Sequence, residues 1–126
     1  MRNITDEEFK IASRYLFLSM AIEVIQKDLN TLRNNSIFKI NEPYIKLLEV
    51  AERKAIEERK KLKQQMHINQ LKVLLTDRSE GGFTEYTYYA KRKEEKRRYF
   101  NPAIRKKVLL ILRDLLRVQV KPIKET

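Results

Sequence analysis

Apolar residues in the first third of the chain recur at helical spacing. Ile11, Tyr15, Leu18, Ile22, Ile25, Leu29 and Leu32 fall at alternating steps of four and three, and Phe17, Ala21 and Val24 widen the stripe. This pattern predicts one long helix whose seam needs a partner. Thr5-Asp6-Glu7-Glu8 marks its start, since the Thr5 hydroxyl and the Glu8 carboxylate can satisfy reciprocal backbone donors, with Ile4 and Phe9 placed to staple the entry. Asn34-Asn35-Ser36 predicts its end near Arg33. After the apolar connector Ile37 to Ile40, Asn41 as cap and Pro43 in the first turn open a second helix. Its stripe of Tyr44, Leu48, Ala51, Ala55, Leu62 and Met66 is interrupted by Glu58. The polar face from Glu57 to Lys63 reads as solvated, so the far end of this helix is expected to project beyond the core. The short linker makes the pair an antiparallel hairpin.

The period then changes. Leu71 to Thr76 and the Thr-, Tyr- and Phe-rich run Phe83 to Tyr89 flank a loop holding Gly81 and Gly82, the only two glycines of the chain. A β-hairpin is the expected reading, with continuation of the second helix through Leu75 as its rival. Strand alternation sends Phe83, Glu85, Thr87 and Tyr89 to one side and Thr84, Tyr86, Tyr88 and Ala90 to the other; Tyr86 and Tyr88 are the expected core set. Lys91 to Arg98 has helical composition, so a short helix or turn is expected there. Asn101-Pro102 reads as a cap and first-turn proline. Ile104, Val108, Ile111, Leu115 and Val118 then mark a last helix, stopped by Pro122 and packed on the first. The fold class is therefore mostly α (α+β). One domain over residues 1–120 is expected, with the β-hairpin at about 70–90 and a flexible tail at 121–126.

Composition adds a bias to this frame. The 126 residues carry 28 Lys and Arg against 17 Asp and Glu, a net charge of +11. Residues 1–50 are neutral, so residues 51–126 hold the whole excess. Between 91 and 107, Lys91, Arg92, Lys93, Lys96, Arg97, Arg98, Arg105, Lys106 and Lys107 face only Glu94 and Glu95. Such density attracts polyanions. Six of the eleven aromatic residues lie between 83 and 100, where exposed rings could stack on bases while cations meet phosphates. The amide donors at the helix start near Asn101 are a further phosphate device.

Catalytic constellations are not visible. The chain has no cysteine, so thiol chemistry and disulfides are excluded. Its one histidine, His67, cannot build a multi-imidazole metal site, and it reads as a capping or solvent-facing group. No serine is presented beside a base, and Glu7-Glu8, Glu57-Glu58 and Glu94-Glu95 are adjacent pairs that diverge on a helix. Gly81-Gly82 lacks the lysine and helix of a phosphate loop. The most apolar window, Tyr15 to Ile25, holds Ser19 and Glu23, so no membrane span is expected, and the acidic residues near Met1 do not resemble a secretion signal. A cytoplasmic setting is the expectation.

At Phe83-Thr84-Glu85-Tyr86 and Tyr99-Phe100-Asn101-Pro102-Ala103-Ile104-Arg105 the chain resembles a group of small proteins of Gram-positive bacteria and their phages, of the YhjD type. The similarity continues through the helical half, with Asp28-Leu29 and Pro43-Tyr44 in matching order. The family has no established activity. The resemblance implies a bacterial or phage cytoplasmic setting, nothing about mechanism, and makes Phe83 to Arg105 the distinctive region.

The expected function is a small, non-enzymatic, regulatory nucleic-acid-binding protein that needs no cofactor. Its expected contacts are Lys91, Arg92, Lys93, Lys96, Arg97, Arg98, Tyr99, Asn101, Arg105, Lys106 and Lys107, with Lys60, Lys61 and Lys63 as a second patch. The rival is an adaptor or inhibitor docking on an acidic host protein surface. A homodimer built on unused heptad positions is a further candidate.

Overall fold

A computed structural model describes residues 3–35, 38–78 and 81–117. Three helices and one sheet follow in the order α1 (Asp6–Asn34), α2 (Glu42–Ile68), β1 (Leu71–Arg78), β2 (Phe83–Ala90), β3 (Lys93–Phe100) and α3 (Asn101–Leu116).

Local signals explain most of these boundaries. The capping box of α1 is formed: the Glu8 amide donates to Thr5 Oγ1 at 3.1 Å and the Thr5 amide to Glu8 Oε1 at 2.8 Å. Ile4 is buried beside Phe9, as the staple requires. Asn41 precedes α2, but its side chain makes no capping bond to that helix. It turns back, donating to the carbonyls of Leu32 (3.1 Å) and Asn35 (2.9 Å) and accepting from the Phe38 amide. It thus closes the end of α1 and clips the hairpin together. Glu58, the break in the α2 stripe, has a partner in Arg14 of α1, whose Nε and Nη2 donate to its two oxygens at 2.6 and 3.0 Å.

One expectation about α2 holds and one changes. The helix stops at Ile68, with Gln70 in the left-handed region (φ 54°), so Leu71 to Leu75 is strand. Its far end does not project past the core, because Met66 is buried against Leu71, Tyr88 and Ala90. The sheet supplies a second layer that the helical pattern does not announce.

The sheet is an antiparallel meander in the order β1-β2-β3. Leu71 pairs with Ala90 and Val73 with Tyr88, a bulge lies between Leu75 and Asp77, and on the other side Tyr88 pairs with Glu95 and Tyr86 with Arg97. The helix or turn expected over Lys91 to Arg98 is therefore corrected to a two-residue turn, Lys91-Arg92, and a third strand. Pairing with the β-favouring centre of β2 outweighs the helical preference of Lys and Glu. Lys91 takes φ 55°, a conformation usually left to Gly or Asn in such turns.

One layer of helices packs on the inner sheet face. Phe17, Leu18, Ala21 and Ile22 of α1 meet Ala55 of α2 and Val108 and Ile111 of α3. Ile25, Leu29 and Ala51 extend this core, while Ile4, Ala12, Met66, Leu71, Tyr88 and Ala90 join helices to sheet. Burying each large side chain here stabilises the fold by about 1.5–3 kcal/mol relative to exposure. Tyr88 is fully buried as expected, and Tyr86 only partly. The last helix ends at Leu116, short of the expected Pro122; Val118 and the tail at 121–126 lie outside the described residues.

Candidate nucleic-acid interface

The strand period divides the predicted basic run. In β3, Lys93, Glu95, Arg97 and Tyr99 share the inner face with Tyr86 and Tyr88, while Glu94, Lys96, Arg98 and Phe100 share the outer one with Phe83 and Thr87. Inward groups are engaged. Lys93 Nζ lies 3.5 Å from Glu8 Oε1, and Arg97 is hydrogen-bonded to Glu95 with its guanidinium 4.3 Å above the Phe9 ring. Tyr99 packs edge-on against Phe17 (5.4 Å) and shares a 2.8 Å hydroxyl bond with Tyr88. Its ring packs on the core but stays only partly buried. Burial pushes the phenols of Tyr88 and Tyr99 upward in pKa, Tyr88 far more strongly, and Tyr86 rises for the same reason.

The outward groups form a different surface. Lys96 and Arg98 are exposed beside a tilted Phe83–Phe100 pair (centroids 5.3 Å apart), and Arg98 lies 5.2 Å over Phe83. All sheet residues that join the hydrophobic clusters lie on the inner face; on the outer face Leu74, Phe83 and Phe100 remain 43%, 37% and 51% exposed. Lys91 and Arg92 are exposed in the turn at the opposite end of β3 from α3.

Asn101 is the first helical residue of α3 and not its cap, which is Phe100. Its amide donates to Gly82 O at 2.8 Å, and its Oδ1 accepts from Thr84 Oγ1 at 2.7 Å. The side chain therefore ties α3 to β2, and only the following amides remain at the helix start. Arg105, Lys106 and Lys107 are all exposed, with no acidic residue in the first turn. Residues 104, 108, 111 and 115 face the core, so Lys106 and Arg113, seven apart, point away from it.

Neighbouring helices add cations that no local motif signals. On one flank of α3, Arg105 shares an open groove of about 590 Å³ with Met20, Glu23, Val24 and Lys27 of α1. On the other, Lys107 lies 5.6 Å over Phe17 and shares a cleft of about 290 Å³ with Lys10, Arg14 and Tyr99. Lys10 and Arg14 were legible only as polar positions of α1; their approach to Lys107 follows from how α3 packs on α1. Lys60 and Lys63 border a separate shallow depression with Gln64, His67 and Ile68, and Lys61 is exposed near them in sequence. No group of three or more acidic, His or Cys side chains able to hold a metal occurs among the described residues. No helix among them is long and apolar enough to cross a membrane.

These features define a small α+β protein whose last helix and neighbouring strand carry a basic, partly aromatic exterior. The family described as YhjD protein matches residues 3–120, and the chain belongs to that family. It is 34% identical over 116 residues to a Bacillus subtilis (strain 168) relative named "Uncharacterized protein YhjD", covering 89% of this chain and 92% of the relative. No solved structure matches.

Proposed function

We propose that the chain is a regulatory nucleic-acid-binding protein without catalysis of its own, acting in the cytoplasm of a Gram-positive bacterium or on behalf of its phage. Contact runs along the solvent side of α3 and continues onto the outer face of β3. The observation that carries this reading is the exposure of Arg105, Lys106, Lys107 and Arg113 on a helix whose only acidic residue is Asp114. The ion pairs among the described residues take up Arg14, Arg33, Lys93 and Arg97, none of them on that helix. Cations so placed neutralise phosphates and release counterions, the dominant source of affinity in such complexes.

If Lys96, Arg98, Arg105, Lys106, Lys107 and Arg113 each meet a phosphate of a duplex, log affinity falls against log salt with a slope of about −5. Fluorescence anisotropy with labelled duplex and single-stranded DNA or RNA, titrated across salt concentrations, measures it. A flat response rejects the reading.

A second reading, an adaptor for an acidic protein surface, is favoured by the apolar groove beside Arg105, where Val24 and Leu109 are 37% and 51% exposed between Lys27 and Arg105. Capture of a host protein from nuclease-treated lysate, lost on Leu109→Asp and kept when nucleic acid is absent, would favour it over the first.

A further inference from the structure

We propose that the cleft between α1, the end of β3 and α3 receives one unpaired nucleotide, with its phosphate against Lys10 and Lys107 and its base against the wall of Phe9 and Tyr99. This rests on the nucleic-acid reading above and narrows it to single strands and strand ends.

Charge and apolar surface converge there from different elements. Lys10 and Arg14 come from successive turns of α1, Lys107 from the second turn of α3, and Phe9, Tyr99 and Ile111 line the apolar part. Two guanidinium groups in this area are already fixed. Arg14 is held by both oxygens of Glu58, and its charge is also felt by Asp114; Arg97 is held by Glu95 above the Phe9 ring. Lys10 and Lys107 have no carboxylate partner among the described residues. They are the two charges left for an incoming anion, with Nη1 of Arg14 not engaged by Glu58.

The open cleft of about 290 Å³ offers room for one base with its sugar and phosphate. A simple phosphate would leave the aromatic wall unused, and an uncharged ring would leave both ammonium groups without a partner. A base bonded to a phosphate uses both, as stacking proteins do for single strands.

The test uses the full chain and two double variants, Lys10→Gln/Lys107→Gln in the cleft and Lys106→Gln/Arg113→Gln on the outer side of α3. Amide NMR spectra are followed during titration with adenosine 5′-monophosphate, adenosine and inorganic phosphate, and anisotropy is followed with an oligothymidylate and its duplex. The monophosphate is expected to shift resonances around Ser13, Tyr99 and Leu110 and to bind about ten-fold more tightly than adenosine or phosphate. The single strand is expected to bind about ten-fold more tightly than the duplex, and the cleft variant to lose that preference, weakening the single strand about ten-fold more than the duplex, which loses only the one phosphate contact of Lys107. The outer variant should weaken both polymers together. Equal binding of both polymers, lowered equally by the cleft variant, overturns the cleft and leaves the nucleic-acid reading standing. Monophosphate binding without polymer binding keeps the cleft and removes the polymer reading. Absence of both removes both.

Discussion

Lys93 to Arg98 and Arg105 to Arg113 are basic stretches of similar density in the same quarter of the chain, yet the fold uses them differently. In β3 the side chains alternate, so half of the cations turn toward the helices, where Glu8 and Glu95 engage them and Phe9 and Phe17 cover the neighbouring rings. In α3 the core takes only one stripe, and Arg105, Lys106, Lys107 and Arg113 spread over the remaining arc. The comparison teaches that charge density along a sequence does not by itself make a surface. A period of two turns every other charge toward the helices, whereas a period of 3.6 with a narrow apolar stripe leaves nearly all of them pointing outward.

The largest expected break in this comparison is Tyr88→Ala. Tyr88 is fully enclosed between α1 and the sheet, with Phe9 at 5.0 Å and the Tyr99 hydroxyl at 2.8 Å. Its removal should cost about 3–5 kcal/mol in urea unfolding, because a cavity opens where both layers meet. The inner side of β3 should loosen with it.

Raising the pH attacks the same place. The folded state holds Tyr88, Tyr99 and Tyr86 protonated above the pKa that they have in the unfolded chain, so their contribution is fully present below about pH 10 and is lost as pH rises beyond it. Melting temperature should fall above that pH, and Tyr88→Phe should flatten the fall. An unchanged pH profile in that variant would count against Tyr88 as the main source.

The two basic stretches can be separated directly. Replacing Arg105, Lys106, Lys107 and Arg113 together by Gln should leave thermal stability nearly unchanged and make the salt slope of nucleic-acid binding shallower by roughly 3–4. Arg97→Gln should do the reverse, lowering stability by about 0.5–1 kcal/mol through the lost contact with Phe9 while leaving the slope where it was. Equal slope changes in the two variants would erase the distinction between strand and helix.

The smallest effect concerns the start of α1, which holds the partner of Lys93. Thr5→Ala removes one half of the capping box and should cost about 1 kcal/mol in the same urea experiment. Glu8 is held below the usual carboxylate range, first by the Thr5 amide, so its contribution is present above about pH 4.5 and is lost as pH falls through its lowered value. Glu8→Gln, which removes the titrating carboxylate, should therefore reduce the acid sensitivity of unfolding.

Much of the architecture is legible because local and global signals agree. Thr5 and Glu8 form the box their spacing promises, the middle of the four-three stripe of α1 (Leu18, Ile22, Ile25 and Leu29) is buried, and Phe83 to Ala90 is the central strand. The third strand is hidden because Lys-Glu-Glu-Lys-Arg-Arg favours helix and because its turn uses Lys91 at positive φ where a glycine would have announced it. The same omission affects the site. Without β3, Lys93, Arg97 and Tyr99 read as part of one exposed run, and with it they belong to the interior side. Lys10 and Arg14 escape for a different reason: nothing near them in sequence tells which face of α1 the last helix will cover.

The double tie at Asn101 has a mechanical consequence. Its amide hangs from Gly82 and its side chain from Thr84, so the basic helix is hinged to the middle of the meander and not merely to the strand that precedes it. A pull exerted on α3 is handed across to β2, the strand gripped on both edges, and the tug is borne by the most firmly laced part of the molecule.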